Sequence, residues 1–242
     1  VNATPTRVAA VIPAKDEAHR IGATVRSALT IPGVDLVLVV DDGSSDATAE
    51  LATDAGAEVV SHPVNRGKAA AMETGAAAVA ARERGDQATP RALLFIDGDL
   101  ADTAANTAAL TGPVLAGRAD MTIAILPRQS TAGGGRGLVV NLSRRGIVRA
   151  TGWTPTQPLS GMRCLTREAF EAARPLATGW GVETALTIDL LRAGFRVVEV
   201  PCDLQHRVSG RDLRAHLHRA GQYRDVARAL AVRRFRRSVP RG

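Results

Sequence analysis

Asp97-Gly98-Asp99 sets two carboxylates two residues apart, directly after the apolar run 92–96. In a tight turn both can reach one hard divalent cation, with water and phosphate oxygens completing the octahedron. The pattern alone is common in turns. At the end of a buried strand it carries more weight, because uncompensated carboxylates there are costly unless a cation sits with them. Acidic residues recur in the same kind of place: Asp16 and Glu17 follow the run 7–12, and Asp41 and Asp42 follow the run 35–40. In Asp41-Asp42-Gly43-Ser44-Ser45-Asp46 either Ser45 or Asp46 is expected to cap a helix. Asp41 and Asp42 are then spare, as acceptors for a base N–H or a ribose hydroxyl. No GxGxxG follows the first run and no GxxxxGK[ST] occurs, which disfavours an NAD enzyme and a P-loop NTPase.

The elements that must position these residues alternate in type. Runs 7–12, 35–40, 57–60 and 92–96 are short, β-rich and apolar without period-two alternation, as expected of strands buried on both faces. The first is expected to stop at Pro13. Between them, 17–29, 46–55 and 68–84 have helical length and composition, the last two ending at Gly56 and Gly85. Strand–helix alternation predicts an α/β fold with a mainly parallel, doubly wound sheet flanked by helices. In such sheets chemistry gathers at the carboxyl ends of the strands. Further along, strands are expected at 121–126 and 195–200, helices at 138–150, 168–173, 182–192 and 212–232, and a Gly-rich loop at 129–137.

The chain of 242 residues carries 31 Lys+Arg against 24 Asp+Glu, a net charge of +7. Eleven Arg against three Asp fall in 203–242, so the tail alone carries +8 and the remainder −1. A cationic tail on a nearly neutral body suggests an anionic partner. Only Tyr223 and Phe235 could stack there, which supports nucleic acid poorly as that partner. Hydrophobic residues make up 45% and charged residues 23%, which argues against global disorder. Cys164 and Cys202 form no disulfide framework and have no zinc spacing, so they are expected as buried apolar residues. No apolar run approaches about 18 residues, so no transmembrane span is expected. The chain lacks a charged-then-apolar leader and opens on Val1, so a trimmed start and a cytoplasmic location are expected.

With Ile12-Pro13-Ala14-Lys15-Asp16-Glu17, VVDDGSSDAT (39–48), Asn65-Arg66-Gly67-Lys68 and FIDGDL (95–100), the first hundred residues resemble a family 2 glycosyltransferase of the GT-A, nucleotide-sugar-binding fold. Downstream, Gln157-Pro158-Leu159-Ser160-Gly161, GWGVET (179–184) and His206 are similar to glucosyl-3-phosphoglycerate synthases. The stretch 160–167 also resembles polyprenyl-phosphate (dolichol-phosphate) sugar transferases.

The resemblance implies a GT-A domain over 1–211, with a nucleotide-binding half (about 1–100) and an acceptor half (about 101–211), followed by a basic helix and tail over 212–242. It implies that Pro13, Ala14, Glu17, Asp42, Ser44 and Lys68 hold the nucleotide sugar together with Asp97, Gly98 and Asp99. Asp97, Asp99 and His206 would ligate Mg²⁺ or Mn²⁺. Asp99 and Glu183 are the expected catalytic residues, with Glu183 holding donor-sugar hydroxyls or the acceptor. Gly161, Arg163 and the loop residue Arg128 would meet an anionic acceptor.

Transfer of glucose from UDP-glucose to 3-phosphoglycerate is the leading expectation. Met162 stands where the synthase pattern has an acidic residue. That departure, with the basic amphipathic helix, keeps open transfer from GDP-mannose or UDP-glucose to a polyprenyl phosphate, with peripheral contact at the inner membrane face. A non-catalytic nucleotide-sugar-binding module is the alternative of another class. Homodimerisation is left open.

Overall fold

The computed structural model describes residues 4–84, 90–127, 137–204 and 213–235. Seven strands form one mixed sheet: β1 (Val8–Ala14), β2 (Val34–Asp41), β3 (Glu58–Ser61), β4 (Ala92–Phe95), β5 (Met121–Ile125), β6 (Arg163–Leu165) and β7 (Val197–Pro201). Their spatial order is β3-β2-β1-β4-β6-β5-β7. Only β6 runs against the others, pairing antiparallel with both β4 and β5.

Alternate residues of β1 leave the sheet on opposite faces. Val8, Ala10, Ile12 and Ala14 join one core with Ile21, Val25 and Ala28 of α1 (Ile21–Leu29), Ala52 of α2 (Thr48–Asp54) and Leu110 and Val114 of α4 (Ala108–Leu115). Ala9 and Val11 join the other, with Met72, Ala76 and Val79 of α3 (Lys68–Arg82), Phe170 of α6 (Arg167–Ala172) and Leu186 and Leu190 of α7 (Val182–Arg192). A strand with helices on both faces needs apolar residues at every position, which is why the runs do not alternate. Gly75 lets α3 lie close on the sheet: a Cβ there would run into Val11 and come within 3.2 Å of Val40.

Two boundaries differ from expectation for a local reason, and three elements are additional. β1 continues through Pro13 to Ala14, because the β1–β4 ladder ends at Val11–Phe95 and the missing N–H breaks no ladder bond. α1 starts at Ile21 rather than residue 17: residues 17–20 form a separate turn, with Arg20 and Ile21 N–H both donating to the Glu17 carbonyl and the Asp16, Glu17 and Ala18 N–H groups bonded to Ser44, Thr48 and Asp46. β6, α4 and the 3₁₀ turn Ala101–Thr107 were not expected at all.

The last helix, α8 (Leu213–Phe235), is docked on the body. Val226, Ala229 and Arg233 are buried, and the Arg233 guanidinium pairs with Asp189 of α7. α5 (Leu138–Thr151) meets it at Gly146, where a Cβ would collide with Leu230. Among the described residues no helix is long and apolar enough to cross a membrane.

Candidate active site

Parallel pairing brings the carboxyl ends of β1, β2 and β3 level, with Ala14 beside Asp41 and Asp41 beside Ser61. The loops that leave these ends are stitched together by polar atoms. Lys15 Nζ donates to the Gly43 carbonyl at 2.7 Å, and Asp16 N–H donates to Ser44 Oγ at 2.9 Å. Asp16 Oδ1 accepts from Ser45 N–H at 2.8 Å, and this bond chiefly holds its carboxyl below the usual range. Asp16 sits at φ +53°, a left-handed conformation that Asp tolerates better than most residues. The cap of α2 comes from Asp46, whose Oδ1 accepts from Thr48 N–H at 3.1 Å.

Asp41 and Asp42 are not spare. Asp41 Oδ1 accepts from Ser44 N–H at 3.1 Å. Asp42, expected at the base or ribose, is buried and faces inward. Its Oδ1 lies 2.7 Å from His62 Nδ1 and accepts from Arg66 N–H at 2.8 Å, while Oδ2 accepts from Gly67 N–H at 2.7 Å. Burial works against its charge, but His62 and the two backbone donors outweigh it and hold the carboxyl low. Asp42 therefore shapes the Asn65–Lys68 loop from which α3 starts.

The Asp97–Asp99 turn is fixed through its main chain. Thr24 Oγ1 donates to the Gly98 carbonyl at 2.9 Å and accepts from Ala101 N–H at 2.9 Å, and Arg20 Nη1 donates to the Asp99 carbonyl at 3.0 Å. Gly98 packs against the end of β1: a Cβ there would lie 3.3 Å from Ala14 Cβ, 3.5 Å from Glu17 Cγ and 3.6 Å from the Pro13 carbonyl. Pro13, Ala14, Glu17, Gly98 and Asp99 thus share one wall.

Lys68 ties this wall to the second half of the chain. Its Nζ lies 2.7 Å from Asp97 Oδ1 and 3.3 Å from Glu183 Oε1. Burial disfavours the ammonium, yet the two carboxylates outweigh burial and raise its pKa above the ordinary 10.5. Gly161 comes down on the same point: a Cβ would collide with Lys68 Nζ and lie 2.9 Å from both Asp97 oxygens. Asp97, Lys68, Glu183 and Gly161, spread over more than a hundred residues of sequence, converge here.

Among the described residues no three His, Cys, Asp or Glu side chains converge as a metal site. Asp97 and Asp99 would give a cation two hard oxygen donors and leave its other positions to water and phosphate, the usual way Mg²⁺ is held. The residues fit such an ion. His206 and Arg128 lie outside the described residues.

Arg163 does not face an acceptor. It is 1% exposed, and its guanidinium donates to the Ser160 carbonyl at 2.9 Å, the Pro158 carbonyl at 3.3 Å and Thr187 Oγ1 at 2.9 Å. Burial pulls its pKa down to about 10, against the nearby Glu183 and Glu199. It braces the 158–161 loop against α7 from beneath. Arg163→Met leaves those acceptors without their donor and is expected to cost about 2–4 kcal/mol in chemical denaturation. Cys164 and Cys202 are buried as expected, and burial raises both thiols, Cys202 to about 11.

The bracing residues Arg20, Thr24 and His62 escape a reading of motifs, since each acts through a backbone atom or a neighbouring side chain. Lysine usage held a usable signal: of 31 basic residues only Lys15 and Lys68 are lysine, and both lie at this site.

A model of glycosyl transferase family 2 matches residues 9–173. Glycosyltransferase AglJ of Haloferax volcanii is 30% identical over 217 residues, covering 86% of this chain and 66% of its own. Glucosyl-3-phosphoglycerate synthase of Mycolicibacterium paratuberculosis is 32% identical over 206 residues, covering 75% of this chain and 59% of its own. The chain therefore spans 59–66% of the length of these curated relatives. The crystal structure of the Mycobacterium tuberculosis glucosyl-3-phosphoglycerate synthase with Mn²⁺, UDP-glucose and phosphoglyceric acid superposes with a TM-score of 0.72 at 28% identity, over 94% of this chain and 79% of that one. The complex of the same enzyme with phosphoglyceric acid gives 0.74 at 30% identity, over 94% and 80%. The fold is GT-A, and with the family match running through the carboxylate-bearing ends of β1, β2 and β4, the chain belongs to glycosyl transferase family 2.

Proposed function

We propose that the chain transfers glucose from UDP-glucose to an anionic hydroxyl acceptor of the 3-phosphoglycerate type. The observation that carries this reading is the convergence of Asp97, Lys68, Glu183 and Gly161 beside the Pro13–Glu17 wall. The M. tuberculosis synthase supports it, having been crystallised with UDP-glucose, Mn²⁺ and phosphoglyceric acid. Pro13, Ala14, Glu17 and Ser44 line the nucleotide side. Lys68 offers its ammonium to the diphosphate. Asp97 and Asp99 hold Mg²⁺ or Mn²⁺, which neutralises charge developing on the leaving diphosphate. Glu183 accepts hydrogen bonds from the sugar hydroxyls and sets the anomeric carbon toward the acceptor. The acceptor oxygen bonds to that carbon as the carbon–diphosphate bond breaks, and the acceptor proton passes to the departing phosphate. Mass spectrometry of a mixture with UDP-glucose, 3-phosphoglycerate and Mn²⁺ tests the reading. A glucosylated phosphoglycerate that disappears with EDTA is expected; UDP-glucose left intact with every phosphorylated acceptor would overturn it.

One observation favours a lipid-phosphate acceptor. The outer face of α8 presents Arg224, Arg228 and Arg234 with Tyr223 and Val232, the last two 46% and 47% exposed. Such a face suits an anionic bilayer. Salt-sensitive co-flotation with phosphatidylglycerol vesicles would support this acceptor, and no binding at low salt would remove it.

A further inference from the structure

The family match ends at residue 173, whereas Glu183 sits in the first turn of α7. α7 starts from the 3₁₀ turn Gly179–Gly181, and neither the turn nor α7 has a side-chain cap from its own N-cap residue. Helix starts leave N–H groups that need an acceptor. Here one comes from another helix: Asp225 Oδ2 of α8 accepts from Trp180 N–H at 3.2 Å. The two glycines of the turn fit this contact. A Cβ at Gly179, which sits at φ +65°, would run into the Asp225 carboxylate. At Gly181 it would lie 2.7 Å from both Ala229 Cβ and the Asp225 carbonyl. α8 is itself locked to α7, since Arg233 pairs with Asp189 and Arg192 Nη1 donates to the Arg233 carbonyl at 2.6 Å.

We infer that Asp225 is a positioning residue: from α8 it fixes the Gly179–Gly181 turn and thereby places Glu183 against Lys68 and the donor sugar. The inference rests on the transferase reading above. The bonds of Asp225 go to the Trp180 amide and to Arg224, not to Lys68, Asp97 or Glu183, so its removal acts on Glu183 through the turn. A carboxylate displaced by a fraction of an ångström loses turnover more than donor binding.

The test uses the full chain with Asp225→Ala and Asp225→Asn, each also in a Trp153→Phe background where Trp180 is the sole tryptophan. Asp225→Ala is expected to lower kcat for glucose transfer about tenfold while the UDP-glucose KM stays within about twofold. Acrylamide should quench Trp180 more strongly in this variant, with no substrate present. Asn keeps a carbonyl oxygen for the Trp180 amide and should restore both readouts. Should the alanine variant not accumulate, Asp225→Ser, too short to reach that amide, carries the same comparison. Unchanged kcat, unchanged Trp180 quenching, or an Asn variant behaving like Ala overturns the inference. If the unaltered chain turns over no nucleotide sugar, the transferase reading fails, and Trp180 quenching still decides whether Asp225 holds the turn.

Discussion

Asp99→Ala is expected to lower sugar transfer by about a thousandfold and to abolish the metal dependence of donor binding, with little change in melting temperature. The turn that carries Asp99 is held through main-chain atoms, by Thr24 on the Gly98 carbonyl and Ala101 N–H and by Arg20 on the Asp99 carbonyl. Truncating the side chain leaves those bonds in place, so the loss falls on chemistry rather than folding. Calorimetric titration with UDP-glucose, with Mn²⁺ and with EDTA, checks the binding half of this prediction. The two curves are expected to coincide in the variant and to differ in the unaltered chain.

Lys68→Met is the second large effect. Lys68 is the cation between Asp97 and Glu183, at 2.7 and 3.3 Å. Without it Asp97 and Glu183 lose the cation they share. Transfer is expected to fall about a hundredfold, the scale of losing one group aimed at developing charge. Stability carries a separate signature. The folded pKa of Lys68 is raised above its ordinary 10.5, so its contribution is complete below that value and is lost only as pH climbs through the raised pKa. The contribution of Lys68 is therefore insensitive to pH between about 6 and 9. In the methionine variant that contribution is absent, so its melting temperature is expected to lie below that of the unaltered chain by a margin that stays constant across this range. Melting curves across that range, at fixed ionic strength, make the comparison.

Much of the first half was legible in sequence because its strands are buried on both faces. Residues 35–40 and 92–96 read as unbroken apolar runs, and they fall on β2 and β4 within a residue or two. β6 gave no such signal. It is three residues long, and its Arg163 is buried through hydrogen bonds rather than apolar contact, so no hydropathy pattern marks it. α4 contains Gly112 and Pro113, residue types that weaken or interrupt helices, so its sequence does not look helical, yet Pro113 lies inside the helix. The site divides in a similar way. The carboxylates at strand ends announced themselves, but whether each points to solvent or inward depends on partners brought by tertiary structure. Asp42 turns inward because His62 and two amides lie beneath it. Arg163 does so because Thr187 and the 158–161 loop enclose it. Lys68 finds Glu183 only because α3 and the start of α7 meet on the same side of the sheet.

The central claim is that the pocket at the ends of β1, β2 and β4 takes a nucleotide diphosphate sugar together with a divalent cation at Asp97 and Asp99. Electron paramagnetic resonance of Mn²⁺ tests it most directly, because the six-line spectrum of the free ion fades as the ion is bound. In the presence of the protein, UDP-glucose is expected to remove that signal in proportion to protein concentration, beyond what the nucleotide removes alone, and Asp99→Ala should give it back. A signal no lower with the protein than with UDP-glucose alone would contradict the account.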